Sequence, residues 1–203
     1  MNDEPRKLNR PVESETAWIT TFSGLHVRLP DIDIEQVRLR DIAHSIGLQC
    51  RYMGHCSQFY SVAEHSVLVS ELAQACGENL LTVRCCLLHD VHEAFVGDFP
   101  SPLKRAVPEL GEYERKVEVS VHDAFGLPYE DDPVWKLVKH YDIMALHMEA
   151  VLLLRSPEWV DDDILDQVPG EFRHGGVRGW NPEIATEMFM RRCTQLSIVG
   201  RED

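Results

Sequence analysis

The chain has 203 residues, 44% of them hydrophobic, and a formal net charge of −14. That size and apolar content allow one domain with a sizeable core. The acidic balance argues against a long nucleic acid as ligand, which needs a basic face, but leaves a single nucleotide open, because a metal and a few basic residues can hold one phosphate.

Residues 1–16 are polar and charged and read as a flexible leader, with 17–203 as a single domain. No apolar signal core and no run of the ~18 apolar residues needed for a membrane span occurs, so a cytoplasmic protein without membrane contact is expected. Ala17 to Phe22 is β-prone and Ser23-Gly24 is a turn signal, giving a short hairpin from about Trp18 to Leu29, with Trp18 as a core anchor. A helical pattern runs from Leu39 to Ile46 and ends at Gly47. Cys50 to Phe59 is irregular and carries Arg51, Tyr52 and His55. Ser61-Val62-Ala63-Glu64 matches a capping box, in which Ser61 caps and Glu64 reaches back. The helix it opens runs to about Cys76, closed by Gly77, with a buried stripe of Val62, His65, Val69, Leu72 and Cys76.

The next helix spans Asn79 to Val96 and is broken by Gly97-Asp98. Phe99-Pro100-Ser101-Pro102 starts a short helix through Lys104 and Arg105. A further helix covers Glu109 to Phe125, and Asp131-Asp132-Pro133 opens another to about Arg155. Its apolar stripe is Val134, Val138, Tyr141, Ala145, Met148 and Val151, with Asp142 beside it. Ser156 to Gly179 reads as a long excursion whose basic stretch, Arg173 to Arg178, is a solvated loop. A last helix runs from Trp180 to about Leu196. The expected class is all-α. The six cysteines form no CxxC pair and read as reduced, packed side chains.

Three of these helices place ionisable residues on or beside apolar stripes: His65, then His89-Asp90, then Asp142. Burying such groups costs several kcal/mol unless something satisfies them. Two imidazoles and two carboxylates suit Zn, Mn, Fe, Co or Ni better than calcium. Neighbours on a helix point about 100° apart, so His89 and Asp90 can approach one ion from adjacent directions. No P-loop lysine motif is present.

In this order, His65, His89-Asp90 and Asp142 resemble the signature of HD-domain phosphohydrolases. The blocks Ser61 to Ser66, Leu88 to Glu93, Gly97 to Lys104 and Val138 to Asp142 are similar to the bacterial 5′-deoxynucleotidases. They are also similar to the phage deoxynucleotide triphosphohydrolases, including the dATP-specific type. The resemblance covers about Cys50 to Val151. It implies an HD-type helical bundle with one divalent transition metal (Zn, Co or Mn, with Mg as a further choice) held by His65, His89, Asp90 and Asp142.

It also implies that Glu93 acts on the water. Asp98, near the sugar, joins it as a catalytic and substrate-binding candidate. Arg51-Tyr52 stands where the bacterial enzymes have an Arg-Trp pair, and with Lys104 it is expected to contact substrate. His92 reads as a pocket wall, and His55 as undecided between loop and pocket. The expected activity is attack of a metal-activated water on the α-phosphorus of a deoxynucleotide, releasing phosphate from a dNMP or triphosphate from a dNTP. A homo-oligomer is a further expectation from the family. The alternatives are hydrolysis of a cyclic or signalling nucleotide on the same fold, or a non-catalytic, metal-stabilised binding module.

Overall fold

The computed structural model describes residues 17–155 and 158–200; the leader assigned to residues 1–16 lies outside them. Strands β1 (Trp18–Thr20) and β2 (His26–Arg28) form an antiparallel hairpin, in which Ile19 pairs with Val27. Everything that follows is helical: α1 (Leu39–Leu48), α2 (Val62–Ala75), α3 (Leu80–Leu88), α4 (Glu93–Val96), α5 (Ser101–Ala106), α6 (Pro108–Ala124), α7 (Val134–Leu153), α8 (Asp162–Leu165) and α9 (Pro182–Gln195). An all-α bundle with a small N-terminal hairpin is thus the observed architecture. No helix of the described residues is long and apolar enough to cross a membrane.

The bundle is built around α2, which packs on α1, α3, α7 and α9. Every residue from Val62 to Ser70 is buried, so α2 has no solvent face over its first half. The expected single stripe is therefore too narrow, and its last member, Cys76, is exposed at the C-cap. Gly77 does close the helix, at φ +85°. Ser61 caps its start by accepting from the Glu64 N–H at 3.1 Å. Glu64 does not reach back to Ser61, however. Its carboxylate accepts the backbone N–H groups of Arg178, Gly179 and Trp180 at 2.6–2.9 Å. Half of the capping box is thus replaced by a long-range tie, which fixes the end of the basic 173–178 stretch against α2.

Three other expectations are corrected. Trp18 is 56% exposed and stacks on His26 rather than anchoring the core; side chains alternate along a strand, and here Ile19 and Val27 take the inner face. The helix expected from Asn79 to Val96 is interrupted after Leu88. Gly47 does not end α1 but lies inside it, facing the Oγ1 of Thr186 on α9, where a Cβ would collide. Thr186 is itself held there by the carbonyls of Pro182, at 2.8 Å, and Ala43, at 3.3 Å. All six cysteines are free thiols.

The α1–α9 contact should therefore be intolerant of one methyl group. Gly47→Ala is expected to cost about 1–3 kcal/mol in urea unfolding, and the cost should shrink in a Thr186→Ala background, where the colliding oxygen is gone.

Candidate metal centre

His65 lies one turn into α2 and is fully buried. Its Nδ1 is 2.5 Å from Glu149 Oε1 on α7. Glu149, also fully buried, accepts in addition from the Tyr60 hydroxyl at 2.9 Å and the Tyr52 hydroxyl at 2.6 Å, and pairs with Arg51 Nε at 3.3 Å. Arg51 and Tyr52 come from the loop between α1 and α2. That loop is pinned at its base by the Arg51 N–H to the Tyr60 carbonyl and the Val62 N–H to the Gln49 carbonyl. Tyr52 and Met53 take left-handed backbone angles, φ 57° and 51°, which non-glycine residues adopt only when their surroundings hold them. For Tyr52 the restraint is visible in its bond to Glu149.

The second ligand pair sits where the helix after Asn79 is interrupted. His89 Nδ1 is 2.8 Å from the Cys86 carbonyl, an oxygen that an uninterrupted helix would give to the Asp90 N–H. Side-chain competition of this kind disturbs a helix. Beyond it, Glu93, Ala94 and Phe95 each donate to the carbonyl three residues back instead of four. The tightened turn leaves the backbone right-handed at His89 and His92 and turns both His89 and Asp90 toward α2 and α7.

Four acceptor atoms then converge. His65 Nε2 is 3.5 Å from Asp90 Oδ2 and 3.3 Å from Asp142 Oδ1; His89 Nε2 is 3.0 Å and 3.9 Å from the same two oxygens. Because each ring uses Nδ1–H on another acceptor, each Nε2 presents a lone pair, and neither has a hydrogen-bond partner. Two lone-pair nitrogens face two carboxylates, and the cations at hand, Arg51 beside Asp90 and Lys139 beside Asp142, flank the carboxylates and leave both Nε2 atoms unpartnered. Ligands at about 2.1 Å from one ion lie roughly 3.0 to 3.4 Å apart for octahedral and tetrahedral arrangements; three of the separations, 3.0 to 3.5 Å, are close to that, the His89–Asp142 pair is wider at 3.9 Å, and the donor atoms of His65, His89 and Asp142 lie mutually within 4.8 Å. A set of two imidazole nitrogens and two carboxylate oxygens suits a divalent transition metal better than calcium. Without a cation the same acceptors attract a proton: burial and Arg51 would lower the His65 imidazole, but Glu149 and Asp142 outweigh them and lift it to about 9. Burial would raise Glu149, yet His65 and Arg51 pull it down to about 2. Asp142, against the same burial effect, is held below the usual carboxylate range by His65 and His89.

The cation cradle opens into a cleft of about 240 Å³, bounded among others by His89, Asp90, His92, Glu93, Lys104 and Asp142. Glu93 is buried and its Oε2 has no hydrogen-bond partner. Burial first, then the charges of Asp90 and Asp98, push this carboxyl well above its usual range. Burial also raises Asp98, which lies where α4 ends. Lys104 reaches the cleft from α5, with Nζ 2.9 Å from both oxygens of Glu114. Arg51, Tyr52 and Asp98 are not part of the cleft lining: Arg51 sits behind Asp90 at 3.6 Å, and the Tyr52 hydroxyl is spent on Glu149.

Sequence reading missed Glu149, although a signal existed. It stands two turns after Asp142 on the same helix, inside the buried run Met148-Glu149-Ala150. It also missed Glu114, which lines the cleft from α6, and His122 two turns further along that helix; both are buried. A carboxylate that fixes the tautomer and aim of a ligating histidine typically changes metal affinity 10–100-fold when removed. Glu149→Gln should weaken zinc binding by about that factor, read by competition with a chromogenic chelator, with the helical circular dichroism retained. Unchanged affinity would remove Glu149 from the centre.

Comparison with known proteins bears on this arrangement. The HD domain model matches residues 62–165, a span holding His65, His89, Asp90 and Asp142. The uncharacterized protein YfdR of Escherichia coli K12 is 35% identical over 186 residues, covering 89% of this chain and 96% of its own. An uncharacterized protein of Rhodobacter capsulatus is 34% identical over 142 residues, covering 66% of this chain and 71% of its own. HD domains bind divalent metals and imply metal-dependent phosphohydrolase activity, which is the chemistry the four converging acceptors call for. With the match spanning half of the sequence, this chain belongs to the HD-domain family.

Proposed function

We propose that the protein is a metal-dependent phosphohydrolase of deoxynucleotides, cleaving at the α-phosphorus to release phosphate from a dNMP or triphosphate from a dNTP. The observation that carries this reading is Glu93. It is a buried carboxyl with a free oxygen, raised in pKa, in the same cleft as the cation cradle and Lys104. A bound divalent cation would supply Lewis acidity, lowering the pKa of a water and polarising a phosphoryl oxygen. Glu93 takes a proton from the attacking water, a role suited to a carboxyl whose pKa is raised above the usual carboxylate range. Lys104 stabilises charge developing on the phosphate, and Arg51 keeps Asp90 and Glu149 ionised from behind. Asp98, near enough for its charge to act on Glu93, is the group offered to the sugar. The deoxynucleotide assignment rests on the four sequence blocks shared with the 5′-deoxynucleotidases and the phage triphosphohydrolases.

A product assay tests it. Each dNMP, dNTP and ribonucleotide is offered with Mn, Co, Zn or Mg, and phosphate, pyrophosphate and triphosphate are resolved. Release from deoxynucleotides is the expected result; inactivity toward all of them with every metal would favour hydrolysis of a cyclic or signalling nucleotide, or a binding module. Glu93→Gln should lower turnover about 10²–10⁴-fold with metal content unchanged. As a base, Glu93 must be ionised, so kcat/KM should fall as pH drops through its raised pKa. The midpoint should lie above the ordinary carboxylate value, and that limb should vanish in Glu93→Gln.

A further inference from the structure

The wall of the cleft opposite the HD residues is formed by α6, and it carries a second set of ligand-type side chains. Glu114, Glu118 and His122 follow one another at four-residue spacing and so share one face of that helix. One donor atom each of His92, Glu118 and His122 lies within 4.8 Å of the others. His122 is 8% exposed, and its Nε2 has no hydrogen-bond partner. Its ring is clamped flat against Trp135, with centroids 5.0 Å apart and planes 4° from parallel. His92 directs Nδ1 at the His89 carbonyl, 3.2 Å away, and its Nε2 lies 3.4 Å from Glu114 Oε1.

An unpartnered imidazole nitrogen in a buried position costs free energy unless a cation or donor meets it. The nearby ammonium does not do so, because Lys104 is engaged by both oxygens of Glu114. Glu114, 3.4 Å from His92 Nε2 and close enough to His92 and Glu93 to form a further ligand group with them, already serves as the counter-charge of Lys104. What remains is two imidazoles and one carboxylate. Two of the three are four residues apart on one helix, a spacing that sets both side chains toward one ion.

We infer that His92, Glu118 and His122 form a second divalent-cation site, distinct from the His65–His89–Asp90–Asp142 centre and facing it across the same cleft. The donor set selects the zinc, cobalt, nickel and manganese class over calcium. Three protein ligands leave coordination positions open, as in sites that meet a substrate rather than purely structural ones. With His92 and Glu118 both lining the cleft, those positions face the space a phosphate group would enter. The inference does not depend on which phosphate ester is cleaved.

Metal counting decides it. Chelator-stripped protein is loaded with Co(II) or Zn(II), freed of excess by gel filtration, and its metal quantified by mass spectrometry. The wild type should hold two equivalents per chain. His122→Gln and Glu118→Gln should each hold one, and Asp142→Asn should also hold one, with the two classes differing in their cobalt absorption spectra. The Glu118 variant keeps the test open if His122→Gln fails to fold, since Glu118 is only half-buried. One equivalent in the wild type, lost in Asp142→Asn and kept in Glu118→Gln, would overturn the second site and leave the first intact. Two equivalents in the Glu118 and His122 variants would overturn it as well.

Discussion

His65 sits in the first half of α2, which has no outer face, so neither of its ring nitrogens can be satisfied by solvent. One is met by Glu149 and the other points at two carboxylates and a second imidazole. Much of the structure follows from that burial. α7 must pass close enough to α2 to deliver both Asp142 and Glu149, which are seven residues apart and therefore on one face. Glu149, once buried, needs compensation for its own charge. It receives two hydroxyls and a guanidinium from the loop before α2, which in turn holds two residues in left-handed backbone.

A buried carboxylate with four partners is costly to assemble and costly to break. Removing one member of such a group typically loses 3–5 kcal/mol, because the remaining charge is left without compensation. The group therefore acts as a rigid backing behind His65, tying α2, α7 and the 51–60 loop into one unit. Opposite it, the tightened turn from His89 to Phe95 provides the other half of the cradle. One half is rigid through ionic and hydroxyl contacts, and the other through the substitution of a side-chain donor for a backbone one at Cys86.

The ligand residues could be read from the sequence because ionisable groups on apolar stripes are conspicuous, and three helices supplied them in order. What surrounds them was harder to read, for identifiable reasons. Hydrophobic periodicity does not register a single carbonyl being captured by a histidine ring, so the interruption at Leu88 passed as continuous helix. Glu64 matched a local cap, yet its partners lie more than a hundred residues away; local pattern carries no information about them. Gly47 looked like a terminator because glycine commonly ends helices, whereas here the missing Cβ serves a helix–helix approach. Trp18 misled through size alone, although strand alternation with Ile19 already placed it outside.

The charge of the cleft constrains how any anionic substrate can enter. Asp90, Glu93, Glu114, Glu118 and Asp142 line it, against Lys104 and Lys139. Lys104 is matched by Glu114, and Lys139 lies 2.7 Å from Asp142. Arg51, behind Asp90, is matched by Glu149. Counting carboxylates and lysines alone, with Glu93 protonated, the lining keeps an excess of two negative charges, in a protein whose overall balance is −14. A phosphate group meeting that surface is repelled. One divalent cation in the HD cradle brings the lining to neutrality, and only positive charge beyond that makes it attractive. On this charge balance a cation in the cradle favours entry of a phosphate ester, the substrate class that phosphohydrolase activity implies.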